Sequence, residues 1–260
     1  ETTAFCLRQL DQSLHSQSAP DETAAIILAP PLGDGRSVPP PAGYWQKVQT
    51  ILKKYDVLLV ADEVVTGFGR LGSMFGSAHY GIEADIITIA KGLTSAYAPL
   101  SGSIISDRVW QVLERGTDEN GAIGHGWTYS AHPIGAAAGV ANLRLIDDLG
   151  LVRNAGETGA YLTRAMRDAL GEHPNVGEIR GAGMLAAVEL VEDRDARRFF
   201  DPARKVGIQI AAAMLADSGV IARAMPQGDI IGFAPPLCLT RAEADTIVAA
   251  TRNAVKKILG

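Results

Sequence analysis

Cysteine, positive charge and long hydrophobic runs are all scarce in this chain. The 260 residues include two cysteines, Cys6 and Cys238, at no metal-ligand spacing, so a disulfide framework is not indicated. The formal net charge of −5 offers no electrostatic footprint for nucleic acid. No apolar run reaches the roughly 18 residues that span a bilayer, and no charged-then-apolar leader opens the chain. We therefore expect a cytoplasmic protein with no metal site and no nucleic-acid or membrane partner.

The chain is rich in apolar residues and has the length of one or two α/β domains. Of its 260 residues, 47% are hydrophobic and 20% are charged, which is enough to bury a substantial core. The printed sequence opens at Glu1 without an initiator methionine, and residues 3–14 already have helical apolar spacing. We therefore expect that a preceding segment is missing.

Short apolar runs and an amphipathic helix alternate in the first half of the chain. The apolar runs predict strands at residues 24–29, 57–61, 86–90 and 101–106. An amphipathic helix at residues 44–55 separates the first two, and such a crossover is typical of parallel strands. This half therefore predicts an α/β fold with a mostly parallel sheet.

The second half mixes helices and strands differently. Helices are predicted at residues 107–114, 133–149, 151–170, 203–216 and 241–259, strands at 185–191, 220–223 and 230–233, and a glycine-rich loop at 116–132. Thr240 and Glu243 predict a capping box at the start of the last helix. Because the composition changes near Leu151, we assign residues 1–151 to one domain and residues 152–260 to a smaller α+β domain.

Two apolar runs each deliver a charged residue just past their end. Asp62 follows the run at 57–61, and Lys91 follows the run at 86–90. Ligands of open α/β sheets bind in the crevice beyond the carboxyl ends of the strands, so both charges are expected to point into that crevice. They are either a structural ion pair or two groups that hold a cofactor.

Two other motifs in this stretch have weaker support. The run before Asp62 resembles the Mg²⁺-binding strand of P-loop ATPases, but the chain has no G-x-x-x-x-G-K-[ST] loop. Residues 67–72 satisfy G-x-G-x-x-G, the dinucleotide fingerprint, but no amphipathic helix is predicted directly after them. These glycines are more typical of a turn.

An amine and a carboxylate at neighbouring strand ends suit one cofactor in particular. A lysine after a strand is usually exposed to solvent and has no role in chemistry. A desolvated amine near other cations, however, loses its proton easily and can attack an aldehyde to form a Schiff base. A carboxylate beside a pyridine nitrogen keeps that nitrogen protonated, so the ring can accept electrons. Lys91 and Asp62 therefore match what pyridoxal 5'-phosphate requires.

The same stretch closely resembles a known family signature. VLLVADEVVTGFGRLGSMFGSAHYG followed by DIITIAKG resembles the class III (subgroup II) aminotransferases, and GHGWTYSAHPIGAAAG resembles their ω-amino acid and amine:pyruvate branch. VGEIRGAGMLAAVEL and PPLCLTRAEAD extend the resemblance over nearly the whole chain. It implies the fold-type I architecture of pyridoxal-phosphate enzymes, with part of the large domain and a C-terminal small domain.

The resemblance also implies roles for particular residues. Lys91 would bind the cofactor covalently and carry protons, Asp62 would pair with the ring nitrogen, and Val64 would pack against the ring. The residues matching Trp127 and Thr128 reach the cofactor phosphate of the other subunit in this family, which implies a homodimer with shared active sites. The alternative for Thr128 is that it is an ordinary loop residue with no role in cofactor binding. His125 and His132 are expected to shape the loop around these residues.

Arg223 matches the segment in which these transaminases carry an arginine for the substrate carboxylate. The fork of a guanidinium binds a carboxylate with two hydrogen bonds. A surface arginine at a strand end is the alternative. The expected function is amino transfer from an ω-amino acid or amine to a keto acid such as pyruvate.

The chain departs from the family pattern in two places. Family members usually have Glu-Pro where this chain has Ala29-Pro30, and they carry a long N-terminal portion that contributes to cofactor and substrate binding. Two alternatives therefore stay open beside the transaminase: an aminomutase or decarboxylating relative, and a catalytically inactive dimerisation or binding module. We favour the transaminase because Asp62, Lys91, Thr128 and Arg223 are all present. An inactive relative would be expected to lose its charged site residues first, because a buried unpaired charge destabilises the fold.

Overall fold

The structure, a computed structural model, describes residues 2–17, 20–32, 37–122 and 124–260. Its internal contacts divide the chain into two compact units, which are described separately. The first unit comprises Glu1–Pro30, Pro40–Phe68 and Phe75–Leu149, and the second comprises Pro31–Pro39, Gly69–Met74 and Gly150–Gly260. The domain assignment with a boundary between residues 151 and 152 stays a prediction.

A four-stranded sheet forms the centre of the first unit. Its strands are β1 (Ala25–Leu28), β2 (Leu58–Asp62), β3 (Ile86–Ile89) and β4 (Gly102–Ile105), in the spatial order β1-β2-β3-β4. The first three are parallel, and β4 runs antiparallel to β3. The predicted mostly parallel sheet is confirmed, and β2 has a neighbour on each side, as its uninterrupted apolar run predicts.

Five α-helices belong to the described part of the first unit: α1 (Thr2–Gln12), α2 (Tyr44–Tyr55), α3 (Gly76–Tyr80), α4 (Asp107–Asn120) and α5 (Pro133–Asp148). Helix α1 continues into a π-helical turn, Ser13–Gln17. The amphipathic face of α2 buries Trp45, Val48 and Leu52 in one cluster with Val57 and Leu59 at the start of β2. Burial of such side chains contributes roughly 1.5–3 kcal/mol each, which fixes α2 against the sheet.

The second unit is an antiparallel sheet with three helices. After α6 (Leu151–Leu170) come β5 (Val176–Ala182), β6 (Leu185–Leu190), α7 (Val206–Ser218), β7 (Arg223–Ala224), β8 (Ile230–Phe233) and α8 (Arg241–Leu259). The strand order is β5-β6-β8-β7, and every neighbouring pair is antiparallel. Helices α6 and α8 contribute Leu162, Met166 and Val255 to the buried cluster of this unit.

The glycine-rich loop at residues 67–72 is a tight turn, as its composition predicts. Gly69 N–H donates to Met74 O, and Gly72 N–H donates to Gly69 O. A Cβ added to Gly72 would lie 2.7 Å from the Cα of Gly156 in α6, so only glycine fits there. The helix that follows, α3, is only five residues long, so the arrangement that holds a pyrophosphate in dinucleotide-binding proteins is not formed.

Several predicted bounds are confirmed and others are wrong. Helices α2, α6 and α8 have the predicted ends, and the capping box of α8 is present. The predicted strand at 220–223 is wrong, since pairing begins only at Arg223, and β5 was not predicted at all. The predicted loop at 116–132 is shorter than expected because α4 continues to Asn120, and its residue 123 lies outside the described residues. No helix in the described ranges is long and apolar enough to cross a membrane.

Candidate active site at the carboxyl edge of the parallel sheet

Asp62 is the last residue of β2 and lies at the carboxyl edge of the sheet. Its Cα pairs with that of Thr88 in the adjacent parallel strand β3. Its Oδ1 accepts hydrogen bonds from Val64 N–H at 3.0 Å and from Thr88 Oγ1 at 3.3 Å. Its Oδ2 accepts none from the described residues, and the side chain is half-buried. The carboxylate is thus oriented through one oxygen and open to a ligand through the other.

Lys91 lies at the same edge, on the neighbouring strand. It begins a 3₁₀ turn, Lys91–Leu93, two residues after the end of β3. It is three positions after Thr88, and three residues of chain span at most about 10 Å. Its amine is exposed and makes no hydrogen bond or ion pair within the described ranges. Of the two alternatives for this pair of charges, the structural ion pair between Asp62 and Lys91 is not formed, so both groups are available to a ligand.

The backbone of Lys91 is in an uncommon conformation. Its φ is 42°, in the left-handed region that is costly for a residue with a Cβ. Ser95 and Ala96, later in the same turn, have φ of 50° and 62°. Such residues persist where the surrounding contacts over-determine the backbone, and they are concentrated at functional sites.

A buried carboxylate directly after Asp62 holds the loop that follows β2. Glu63 is fully buried, and its Oε1 accepts hydrogen bonds from Ser77 N–H and Ser77 Oγ, both at 2.5 Å. Its Oε2 accepts from Gly76 N–H at 2.8 Å and from Thr66 Oγ1. Four donors therefore compensate the burial of this charge, and the loop from residue 63 to 77 is closed around it. Glu63 is a site residue that sequence reasoning missed, although its position beside Asp62 at a strand end was a usable signal.

A second polar residue missed by sequence reasoning contacts the turn that begins at Lys91. Asn142 in α5 donates its Nδ2 hydrogens to Gly92 O at 2.8 Å and to Leu93 O at 3.1 Å. Its Oδ1 accepts a hydrogen bond from Ser95 Oγ at 2.7 Å. The available signal was a half-buried amide within a helix made largely of small and apolar residues.

Trp127 and Thr128 lie in the loop before α5. Both are exposed, and 75% of the Trp127 residue is accessible to solvent. The loop contains local contacts of the kind expected for its histidines. His125 packs edge-on against Trp127 at 4.9 Å between ring centroids, and His132 Nδ1 caps α5 by accepting from Ile134 N–H at 3.3 Å.

Arg223 belongs to the second unit, where it begins β7 and pairs with Gly232 of β8. Its side chain is exposed and has no ion-pair partner among the described residues. Among those residues there is also no group of three or more His, Cys, Asp or Glu side chains that could hold a metal ion.

The residues at the sheet edge fit a cofactor with an aldehyde and a basic ring nitrogen. An amine with no partner in the described ranges and a carboxylate with one open oxygen lie on adjacent strand ends. The amine suits covalent bonding to a carbonyl, and the oriented carboxylate suits a cationic N–H group. Thr88 and the N–H of Val64 hold that carboxylate in place.

Known proteins resemble this chain over nearly all of its length. A family model described as aminotransferase class-III matches residues 1–255. The chain is 59% identical over 258 residues to the diaminobutyrate–2-oxoglutarate transaminase of Halomonas elongata, an alignment that covers 99% of the chain and 55% of that protein. It is 40% identical over 235 residues to the putrescine–pyruvate aminotransferase of Pseudomonas aeruginosa, covering 90% and 49% respectively. The chain therefore spans about half the length of these curated relatives.

Solved structures give the same result. A transaminase from directed evolution by ancestral reconstruction superposes with a TM-score of 0.96 at 55% identity, covering 98% of this chain and 56% of that one. An (S)-enantioselective omega-transaminase from Thermomicrobium roseum superposes with a TM-score of 0.92 at 38% identity, covering 99% and 56%.

Proposed function

We propose, since this chain belongs to the class-III aminotransferase family, that the protein moves an amino group from an ω-amino acid or amine to a keto acid with bound pyridoxal 5'-phosphate. The family depends on this cofactor. The observation that carries the proposal is the placement of Lys91 and Asp62 at the carboxyl ends of adjacent parallel strands, with the amine and one carboxylate oxygen open.

The cofactor would be held by residues of the first unit. When bound, pyridoxal phosphate supplies an aldehyde that bonds to amines and a ring that accepts electrons. We assign Lys91 to the aldehyde, Asp62 to the ring nitrogen and Val64 to the ring face. The exposure of Trp127 and Thr128 supports their assignment to the phosphate of a second copy in a homodimer.

Each of these side chains has a separate task. Asp62 Oδ2 would accept a hydrogen bond from the protonated ring nitrogen, while Val64 N–H and Thr88 Oγ1 hold the carboxylate in place. The free amine of Lys91 would act as the base that takes a proton from the carbon bearing the donor amino group and passes it to the cofactor. A base that is held in position by its backbone contributes typically 10²–10⁴-fold to such a step.

The substrates are an amine or amino acid and a keto acid. The relatives named above are a diaminobutyrate–2-oxoglutarate and a putrescine–pyruvate transaminase, so both acceptors are candidates. We assign Arg223 to the substrate carboxylate, because a guanidinium with no ion-pair partner in the described ranges can bind it with two hydrogen bonds. The inactive-module alternative is not favoured by the transaminase relatives, and a cytoplasmic location stays a prediction.

Absorbance spectroscopy of the full-length protein tests the proposal. Added pyridoxal phosphate is expected to give a visible band that bleaches when an amine donor is added and returns with pyruvate or 2-oxoglutarate. Lys91→Ala abolishes this band, whereas Lys53→Ala retains it because Lys53 is an exposed residue of α2. Asp62→Asn retains the covalent band but lowers kcat by about 10²-fold or more. A band of equal intensity in the Lys91→Ala protein would refute the assignment.

A further inference from the structure

The turn that carries Lys91 has a strained backbone. We call residues 91–97 the Lys91 turn. Three of its residues have positive φ without being glycine. Of its four internal backbone hydrogen bonds, the one from Tyr97 N–H to Thr94 O is 3.1 Å, but the three accepted by Lys91 O and Gly92 O are 3.3–3.5 Å, which is long for a hydrogen bond. The half of the turn next to Lys91 therefore has weak internal bonds and needs support from outside.

Helix α5 supplies that support along one face. Gly135, Gly139 and Asn142 follow one another at helical spacing, and the two glycines are buried. A Cβ on Gly135 would lie 3.1 Å from Pro99 O, and one on Gly139 would lie 3.1 Å from Leu100 Cδ2. Because these glycines have no side chain, α5 can pack closely against Pro99 and Leu100, just after the Lys91 turn.

Asn142 is the residue of this face that bonds to the turn itself. Its amide donates to two successive carbonyls, Gly92 O and Leu93 O, and accepts from the hydroxyl of Ser95. The first of these carbonyls is one residue from Lys91. The three bonds connect both halves of the turn to a sixteen-residue helix.

We propose that Asn142 is a positioning residue that holds Lys91 in its productive backbone conformation through these three hydrogen bonds. The inference rests on the proposed function, because it concerns the lysine assigned to proton transfer. Asn142 touches no reacting atom. Its effect is on how much of the time the amine occupies the position from which it acts.

Asn142→Ala and Asn142→Asp test the proposal in the full-length protein. Alanine removes all three bonds, whereas aspartate keeps the acceptor for Ser95 Oγ and loses both donors to the carbonyls. Ser95→Ala removes a single bond and is expected to have a smaller effect. The matched control is Asn154→Ala, since Asn154 in α6 donates in the same manner to Leu237 O at 2.6 Å and Leu239 O at 3.1 Å, in the second unit.

The first measurement is amide hydrogen exchange of the Lys91 turn in the cofactor-free protein. Loss of two to three hydrogen bonds should accelerate exchange there by about tenfold in both Asn142 variants and by about twofold in Ser95→Ala. Asn154→Ala should leave exchange in this segment unchanged. Because no cofactor is present, this result does not depend on the enzyme being active.

The second measurement is steady-state kinetics with cofactor. A positioning role predicts that kcat falls by about tenfold in both Asn142 variants, while KM for the amine donor stays within about twofold. A merely structural role would accelerate exchange and leave kcat unchanged. Unchanged exchange, or unchanged kcat with faster exchange, overturns the proposal while the Lys91-dependent band stands. If the wild-type protein shows no such band, the proposed function fails and this inference fails with it.

Discussion

The buried carboxylate of Glu63 gives the sharpest prediction for stability. In Glu63→Gln, one of the two oxygens becomes an NH₂ group that faces one backbone N–H, of Gly76 or Ser77, and one hydroxyl, of Thr66 or Ser77. The hydroxyl can turn to accept from the NH₂ group, but the backbone N–H cannot, so its bond is lost whichever way the amide turns. A hydrogen bond to a charged group is worth about 1.5–3 kcal/mol, so the free energy of unfolding should fall by about that amount.

Urea denaturation followed by tryptophan fluorescence is the appropriate assay. The 260-residue chain has three tryptophans, Trp45, Trp110 and Trp127. All three lie in the first unit, and Trp45 is buried in its core. Their fluorescence therefore reports unfolding of the unit that contains Glu63.

Two further variants calibrate the Glu63 result. Thr66→Val removes a single hydroxyl donor and should cost about 1–2 kcal/mol. Glu83→Gln should cost less than about 1 kcal/mol, because its carboxylate is 79% exposed and its ion pair with Lys53 is screened by water. A loss below about 1 kcal/mol for Glu63→Gln would refute the reasoning, because it would mean that the four bonds do not compensate a buried charge.

Two other predictions concern the second unit. Gly183→Ala should destabilise by about 3 kcal/mol, because its Cβ would lie 2.5 Å from the Cα of Leu71 at a φ of +52°. The control is Gly219→Ala, at a φ of +66° with nothing within 4 Å of the added Cβ, which should cost only about 1 kcal/mol. Denaturation followed by circular dichroism measures both losses, and equal losses for the two variants would contradict the close approach of Gly183 to Leu71. Burial, together with the charge of Arg194, lowers the pKa of His173 below its ordinary value of 6.5. The folded protein therefore holds His173 neutral where the unfolded chain binds a proton, so the free energy of unfolding should fall as the pH drops below 6.5. An NMR titration should show the low pKa and its rise in Arg194→Gln, and a titration at or above 6.5 in the unmodified protein would contradict it.

Much of the fold follows from local patterns in the sequence. Helices α2 and α8 were predicted to their ends because an apolar face, flanking glycines or a capping box mark them locally. The strand predicted at 220–223 was wrong because an apolar run in the sequence does not show whether those residues pair with a neighbouring strand. Pairing with β8 decides the matter, and it begins only at Arg223.

The site also contains residues that local sequence patterns predict and residues that they do not. The placement of Asp62 and Lys91 at one edge of the sheet could be predicted, because each follows an apolar run in the sequence and neighbouring parallel strands bring their ends together. For Glu63 and Asn142 the sequence offers only a weak signal, because their importance depends on partners elsewhere in the chain. The donors to Glu63 come from Gly76 and Ser77, and those partners are brought close only by the folded loop.

The left-handed backbone at Lys91 means that the residue proposed for the reaction is also unfavourable for the stability of the turn. Glycine adopts a φ of 42° without the steric cost that a lysine meets there. Lys91→Gly would therefore relax the turn by up to about 1 kcal/mol while it removes the amine. A search for stabilising substitutions in this segment would therefore select against the residue on which the proposed reaction depends.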